Sequence, residues 1–409
     1  MTVFLWKVFF LSVRLEYLKR MLKYVIVSDP NPNLDSGVLK KVRYQVDTLN
    51  NLGIKSELVI VTEENEKNKA SGPIQFLYYQ KLEKTTLLSR LQRVRRIREI
   101  ISEIVTSLHA DDIFYYRAFG SMMFSYYPIT FFKPWRKCKI ISEHNSIEIS
   151  EAVLYKNYLS VIKNLVFGNC IIGQSEGIIG VTEEIARYWT KRLFYRKIPH
   201  VTIPNGLIVD SVRVRTPPSY NSAELHILFV GNVSRWHGLD RFIRGMAGYG
   251  GPVRVILHIV GEGDELVNLK TLAQALNCAD AIHFHGFLSG PDLDSVFDRY
   301  HIAIGSLGIH RNGMKQASAL KVREYCSRGM PFMISNEDPD FPDGVAWCLH
   351  LPPDETPVDI DAVLSFYNAV CPDTAHPAIM RRYAEENLDW SIKFLKLKEF
   401  IQDTMGVKK

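Results

Sequence analysis

Hydrophobic residues in the second half of the chain fall in short blocks that end in glycine or serine. Ile227–Val230, Val255–Val260, Ile282–Phe284 and Ile302–Ile304 are each too short for a buried helix and suit buried parallel strands. Between Leu225 and Ser335 the order strand, glycine turn, helix recurs four times: ILFVGNVSRWHGLDRFI (227–243), VILHIVGEGDEL (255–266), AIHFHGFLS (281–289) and AIGSLGIHRNGMKQASALKVREYCSRGMPFMIS (303–335). The polar residues gather at the turns. Ligands of open parallel sheets bind beyond the carboxyl ends of the strands, so chemistry is expected at these turns.

The first half has the same rhythm. YVIVSD (24–29) predicts a strand, 30–37 a loop ending in Gly37, and 38–53 a helix. That helix has Val38, Val42, Val46 and Leu49 on one face and Gly53 as its stop. Further strands are predicted at SELVIVT (56–62), DIFYYRA (112–118), CKIISEHN (138–145), GIIGVT (177–182) and HVTIPNG (200–206). Residues 211–224, with Pro217 and Pro218 and no periodicity, suit an interdomain linker, and 373–403 is expected to be helical throughout. The α/β pattern predicts two doubly wound, Rossmann-like domains facing a central cleft. The N-terminal domain spans 1–210, the linker 211–224 and the C-terminal domain 225–385. A helix at 386–409 crosses back to the N-terminal domain.

The composition fits. A chain of 409 residues, 46% of them hydrophobic, can bury two ordinary cores. Its six cysteines are scattered with no C-x-x-C pair, which argues against a disulfide framework or zinc site and fits a reducing, cytoplasmic compartment. Residues 1–206 hold 30 Lys and Arg against 19 Asp and Glu, a surplus of 11, whereas 207–409 hold 20 against 25, a deficit of 5. Either an anionic surface facing the first half or ordinary solvated charge explains the asymmetry. No apolar run is long enough to span a bilayer. The opening MTVFLWKVFFLSVRLEYLKR reads as a membrane-surface helix or as a start placed upstream of the first domain, since Met21 immediately precedes a strand. Residues 81–101 predict an amphipathic helix with a basic face, and RYWTKRLFYRK (187–197) is a second basic, aromatic stretch. The first is a candidate anchor on the inner face of the cell membrane, or else a helix whose apolar stripe lies on the N-terminal sheet. No nucleic-acid recognition module is evident.

Several residues carry candidate chemistry. Gly37 opens a helix N-terminus, where backbone amides suit a phosphate. The dinucleotide fingerprint G-x-G-x-x-G is absent after the first strand, which disfavours an NAD enzyme. Arg235, Trp236 and His237 occupy a strand-to-helix turn suited to a diphosphate, or to a solvated turn with Trp236 as its lid. Glu324 lies on a helix predicted over Ser318–Arg328. It either receives ligand hydroxyls or pairs with Lys321.

Taken together these segments resemble the retaining glycosyltransferases of the GT-B fold, specifically glycosyltransferase family 4 of the bacterial surface-polysaccharide type. FVGNVSRWHGLDRFI is similar to that family's phosphate-binding turn, and VGEGDELVNLKTLA to its G-x-G segment. HFHGFLS is similar to its base-binding strand and loop, SALKVREYCSRGMPFMIS to its nucleotide-sugar helix, VTIPNG to the close of its first domain and ISEHNSIEISE to a His-bearing loop.

The resemblance implies roles. Gly37 would bring its amide to the donor pyrophosphate, and Arg235 and His237 would neutralise it, with Lys321 or Arg311 assisting. Glu324, the second glutamate of a Glu-x7-Glu motif, would hold ribose hydroxyls, and His144 would lie near the transferred sugar. Gly286, Phe287, Ala319 and Leu320 fall in its substrate-binding segments. Two positions depart from the family: Gln316 replaces the first glutamate, and His237 stands where a lysine is usual. The implied co-substrate is a UDP- or GDP-linked sugar, with no other cofactor, and the acceptor a glycan or a lipid-linked glycan. No Asp-x-Asp stands at the expected strand end, so no divalent metal is expected. The alternatives are a catalytically weak nucleotide-sugar-binding subunit and a GT-B-fold sugar-nucleotide epimerase. Gln316 argues against the epimerase, which would need acid/base carboxylates near the sugar.

Overall fold

The computed structural model describes residues 21–27, 37–63, 74–79, 87–117, 137–192, 197–219 and 223–404. The expectations for 1–20, for loop residues 30–36 and for the basic residues at 81–86 and 193–196 lie outside this set. The chain forms two compact units. One comprises Met1–Ile203 and Phe394–Lys409, the other Pro204–Lys393.

Unit 1 holds a sheet of seven strands: β1 (Met21–Val27), β2 (Lys55–Glu63), β3 (Ile74–Tyr79), β4 (Ile113–Arg117), β5 (Lys139–His144), β6 (Gly177–Gly180) and β7 (His200–Thr202). All neighbours are parallel, in the order β3-β2-β1-β4-β5-β6-β7. Every residue of β4 is buried, as a strand covered on both faces requires. The helices include α1 (Gly37–Asn51), α2 (Leu87–Ser107), α3 (Glu148–Leu154), α4 (Tyr158–Lys163), α5 (Asn169–Ile172) and α6 (Glu183–Arg192), with a π-helical turn at Asn164–Gly168. In α1 the predicted positions Val42, Val46 and Leu49 are buried. In α2 the stripe Ile97, Ile100, Ile101, Ile104 and Val105 is buried, while Arg95 and Arg96 stay exposed and pair with Glu99 at 3.0 and 3.2 Å. The described part of the basic helix thus spends its apolar face on the interior of unit 1.

Unit 2 has the six-stranded parallel order β10-β9-β8-β11-β12-β13. Its strands are β8 (Glu224–Val230), β9 (Arg254–Val260), β10 (Ile282–Gly286), β11 (Ile302–Ile304), β12 (Phe332–Ile334) and β13 (Cys348–His350). Its helices are α7 (Leu239–Gly248), α8 (Leu266–Ala275), α9 (Gly290–Phe297), α10 (Leu320–Arg328), α11 (Ile360–Val370) and α12 (His376–Asn387). The last helix, α13 (Trp390–Thr404), starts in unit 2 and ends in unit 1. One apolar cluster around Ile227, Phe229, Leu257 and Phe242 lies on one side of the sheet, and a second around Leu228, Ala303, Phe332 and Tyr325 lies on the other. Alternate residues of β8 feed opposite clusters, so the sheet is doubly wound. Both sheets reverse strand order beside their first strand. That reversal opens a crevice at the carboxyl ends, between β1 and β4 in one unit and β8 and β11 in the other.

Three boundaries differ from the sequence expectation. The units divide at Ile203–Pro204, not near 210. Within the expected linker, Arg215 is buried and donates to the carbonyls of Tyr300 (2.6 Å), Gly329 (3.1 Å) and His301 (3.2 Å), which fastens that stretch to unit 2. The C-terminal segment rejoins unit 1 at Phe394 instead of 386, and its helical run is interrupted. The Asp389 carboxylate accepts from the amides of Ser391 (2.8 Å) and Val209 (3.0 Å), which ends α12 and starts α13.

Candidate functional site

The switch point of unit 2 is built where β8 ends. Gly231 has φ +139° and lies so close to Gly261, φ +133°, that a β-carbon on Gly261 would come within 2.0 Å of the Gly231 carbonyl oxygen. Only glycine permits both the dihedral and the approach. Facing Gly231 is Lys321, in the first turn of α10. Its Nζ is enclosed 3.8 Å from the centre of the Phe229 ring and has no hydrogen-bond partner, although its stem is partly exposed. Burial holds its pKa well below the usual lysine value. A buried amine without a partner is costly, and an anion arriving at Gly231 would satisfy it.

Ala319 is the N-cap of α10, and no side chain caps the helix, so its first amides are available to a ligand. The helix is held firmly from behind. Arg323 is fully buried and donates to Asp338 (both bonds 2.5 Å), Asp340 (2.7 Å) and the Asn205 carbonyl (3.0 Å). The Ser318 hydroxyl accepts from the Asn205 amide at 2.8 Å. Asp340 is also bonded to Lys393. Asp338 and Asp340 form an Asp-x-Asp pair, but their charges are occupied by Arg323 and Lys393.

The Arg235–His237 turn is a single 3₁₀ turn. His237 is buried and packs edge-on to Phe229, with ring centres 5.0 Å apart. Its Nδ1 accepts from the Ser234 amide at 3.2 Å. Burial first, and then the neighbouring Lys321, depress its pKa well below the ordinary histidine value. His237 thus caps its own turn, and its burial disfavours the charge expected of it toward the pyrophosphate.

Arg311 is likewise engaged within the fold. It makes two bonds to Asp240 (2.8 and 2.9 Å) and two to Glu355 (2.9 and 2.7 Å) and donates to the Arg235 carbonyl at 2.8 Å. Its charge is compensated, and it braces the turn. Arg235 itself is exposed. It borders an open pocket with Asp240, Arg244, Glu265, Arg311 and Glu355, whose charges balance. That pocket lines the α7–α8 groove and lacks the strand-end glycines. The Gly231–Lys321 crevice is the better anion site.

Glu324 is half-buried. It pairs with Arg328 (2.9 and 2.8 Å) and not with Lys321. Gln316 donates to Glu337 at 3.1 Å, so a carboxylate stands beside the position where the glutamate of the motif is replaced. Gly286, φ +69°, closes β10 and gives its carbonyl to the Gly261 amide at 2.7 Å, leaving Phe287 exposed on the following loop.

In unit 1, Gly37 does open α1, and that helix is tied to β5. The buried Glu143 accepts from Lys41 (2.7 Å), Asn145 (3.0 Å), Gln45 (3.3 Å) and Tyr115 (2.6 Å). Burial raises its pKa, but the charges of Lys41 and Arg117 prevail and hold the carboxylate well below its usual range. His144 ends β5. It is wholly buried, with Nε2 3.1 Å from the Ser142 hydroxyl, Nδ1 3.8 Å from Glu148 and its ring 4.8 Å from Trp189. Neither Glu148 oxygen has a hydrogen-bond partner. Beside it Glu151 is pushed up to about 7, by burial and then by the Glu148 charge. Sequence reasoning singled out neither glutamate. Their signal was the place just after the His144 strand end, where Glu148 opens the next helix and Glu151 follows within its first turn. Among the described residues no group of three His, Cys, Asp or Glu side chains could hold a metal ion.

Residues 215–346 match the family model described as Glycosyl transferases group 1. A search of curated proteins by sequence finds no match. Among solved structures, sucrose-phosphate synthase from Thermosynechococcus elongatus aligns over 95% of this chain and 100% of its own, with TM-score 0.69 and 14% identity. HepE from Anabaena, in complex with UDP and glucose, aligns over 94% and 99%, with TM-score 0.62 and 12% identity. WaaG, a glycosyltransferase involved in lipopolysaccharide biosynthesis, aligns over 94% and 100%, with TM-score 0.60 and 11% identity. Unit 2 thus contains a segment similar to the group 1 glycosyl transferases, and the two parallel-sheet Rossmann-like units have the GT-B fold.

Proposed function

We propose that this protein transfers a sugar from a UDP- or GDP-linked donor to a glycan or lipid-linked acceptor, with retention of the anomeric configuration and without a divalent metal. The observation that carries this reading is the unpartnered, buried Lys321 amine facing Gly231 at the uncapped start of α10. Departure of a nucleoside diphosphate builds negative charge. A fixed cation and helix amides stabilise it most where water is excluded. Lys321 supplies the charge once the arriving diphosphate has drawn a proton onto its amine, the amides after Ala319 supply oriented donors, and the Arg323 network holds both in place. Glu324 lies one turn further along α10, beside Arg328, where it would accept from ribose hydroxyls. Arg235 would meet charge as it develops on the outer phosphate. His144 and the Glu148–Glu151 pair, at a strand end of unit 1, are the groups proposed to meet the acceptor and the transferred sugar. Same-face attack assisted by the departing phosphate accounts for retention without a protein nucleophile.

The testing experiment incubates the protein with a panel of UDP- and GDP-sugars and lipid-linked or soluble glycan acceptors in the presence of a chelator. Product carrying the donor's anomeric configuration by NMR is expected. Inverted product would remove the retaining mechanism, and activity restored only by magnesium would remove the metal-free one. Transfer by the purified chain also separates an enzyme from a binding subunit.

A further inference from the structure

In most surface helices the apolar face turns inward. The helical run α4–π turn–α5, Tyr158–Ile172, does the opposite over its first three turns. Tyr158, Leu159, Ile162, Leu165 and Val166 are 54–63% exposed, and Val153 and Tyr155, just before them, are also exposed. Leu159, Ile162 and Val166 recur at helical spacing, so they share one outward side. The inward side holds Asn164, buried at 2%, and Gly168. Asn164 donates to the Ser160 carbonyl at 3.1 Å, and its own carbonyl accepts from Arg192 at 2.9 Å, which fixes the run against α6. This is a stable element with an apolar outer surface, and such a surface marks a binding site.

The charges indicate what binds. From Ala152 to Ile172 the only charged residues are Lys156 and Lys163, and both are exposed. Lys191 is exposed at the end of α6, beside Arg192. Two tyrosines, Tyr155 and Tyr158, stand at the start of the apolar side, where a ring with a polar tip suits a lipid–water boundary. The 15-residue run is about 22 Å long. No described helix is long and apolar enough to cross a membrane, so the run would lie in the interface and not span it.

We propose that this face docks on an anionic lipid surface, with Leu159, Ile162, Leu165 and Val166 entering the acyl boundary while Lys156 and Lys163 reach the headgroups. The basic helix α2 contributes at most its exposed arginines, since its described apolar stripe is buried. This placement stands apart from the transferase reading, because vesicle binding is measured without turnover.

The experiment is co-sedimentation of the full chain with phosphatidylglycerol-containing and pure phosphatidylcholine vesicles. The wild type should bind the former more tightly, and less so as salt rises. The combined Leu159→Ser, Ile162→Ser and Val166→Ser variant should bind at least about tenfold more weakly. Lys156→Gln with Lys163→Gln should lose the preference for anionic vesicles. Arg95→Gln with Arg96→Gln should lose less than the serine variant. Hydrogen exchange on the wild type gives a readout free of folding effects, with anionic vesicles slowing exchange in 153–170. Unchanged exchange there, equal binding by wild type and serine variant, or a larger loss in the arginine variant would each overturn the proposal. So would a self-associated wild type that ignores vesicles and dissociates in the serine variant, which would make the occupant a second copy.

Discussion

Arg235 and Lys321 approach the same proposed ligand in opposite ways. Lys321 is enclosed and unpartnered, so it should set donor affinity. Arg235 is exposed on a turn whose shape is fixed by Arg311, so its charge is solvated until a ligand arrives. Arg235→Ala is therefore expected to lower kcat by at least about tenfold and to change the donor Kd less, because diphosphate charge grows in the transition state. Steady-state kinetics beside calorimetry check this, and an unchanged kcat with a raised KM would make Arg235 a binding residue only. Glu324→Ala should weaken donor binding by about 1.5–3 kcal/mol, the worth of a charged hydrogen bond. Calorimetry with a melting control separates this from the lost Arg328 pair, and an unaltered donor Kd would sink the assignment. The residue scale was the least legible in the sequence. His237 sits in the right motif, but Phe229 and the turn enclose it and so disfavour its charge, and no local pattern reports that. Arg311 looked free because its carboxylates lie 71 and 44 residues away.

Elements were read more fully, for a physical reason. A parallel strand covered on both faces must be apolar, and its turn must be tight, so β8, β9 and β11 announce themselves. The strands that escaped were edges or very short: β3 and β13 end their sheets, and β12 and β13 have three residues each. The Arg323 network was invisible because its acids lie beyond β12, yet it positions α10. Arg323→Met should cost about 3–5 kcal/mol in a denaturant titration, since Asp338 would keep buried charge without a cation and Asp340 would keep only Lys393. A loss below about 1 kcal/mol would mean that the network is peripheral. A second device at this scale is a histidine ladder across β8–β10. His226 and His258 are 3.0 Å apart and His258 and His285 3.1 Å apart, with Tyr300 stacked 3.9 Å from His258. Burial, and then neighbouring imidazoles, lower His258 from 6.5 to about 3. His301 falls to about 4, chiefly through burial. Both are neutral in the fold, whereas the unfolded chain takes up protons below 6.5. Stability is thus full above about 6.5 and falls with pH down to about 4, by a few kcal/mol. Melting curves from pH 7.5 to 4 check this. His258→Phe should flatten the slope, and an unchanged slope would contradict the ladder's role.

At the scale of the whole molecule, two Rossmann-like units each offer a carboxyl-edge switch point, and the two switch points differ in kind. Unit 2 presents glycine backbone, an unpartnered amine and an open helix start, which suit an anion. Unit 1 presents a buried imidazole and paired carboxylates, which suit hydroxyls and protons. That division matches donor and acceptor halves of a transfer reaction. The central claim is that the donor diphosphate is held at Gly231 and Lys321. Because burial depresses the Lys321 pKa, binding of a diphosphate should draw a proton onto its amine. Calorimetric titration of the full chain with UDP and GDP, in two buffers of different ionisation enthalpy, tests this directly. The account predicts one-to-one binding of at least one nucleotide with proton uptake. Lys321→Met should weaken that binding about ten- to a hundredfold and abolish the uptake. Binding of equal strength in Lys321→Met, or no binding of either nucleotide by the wild type, would contradict it.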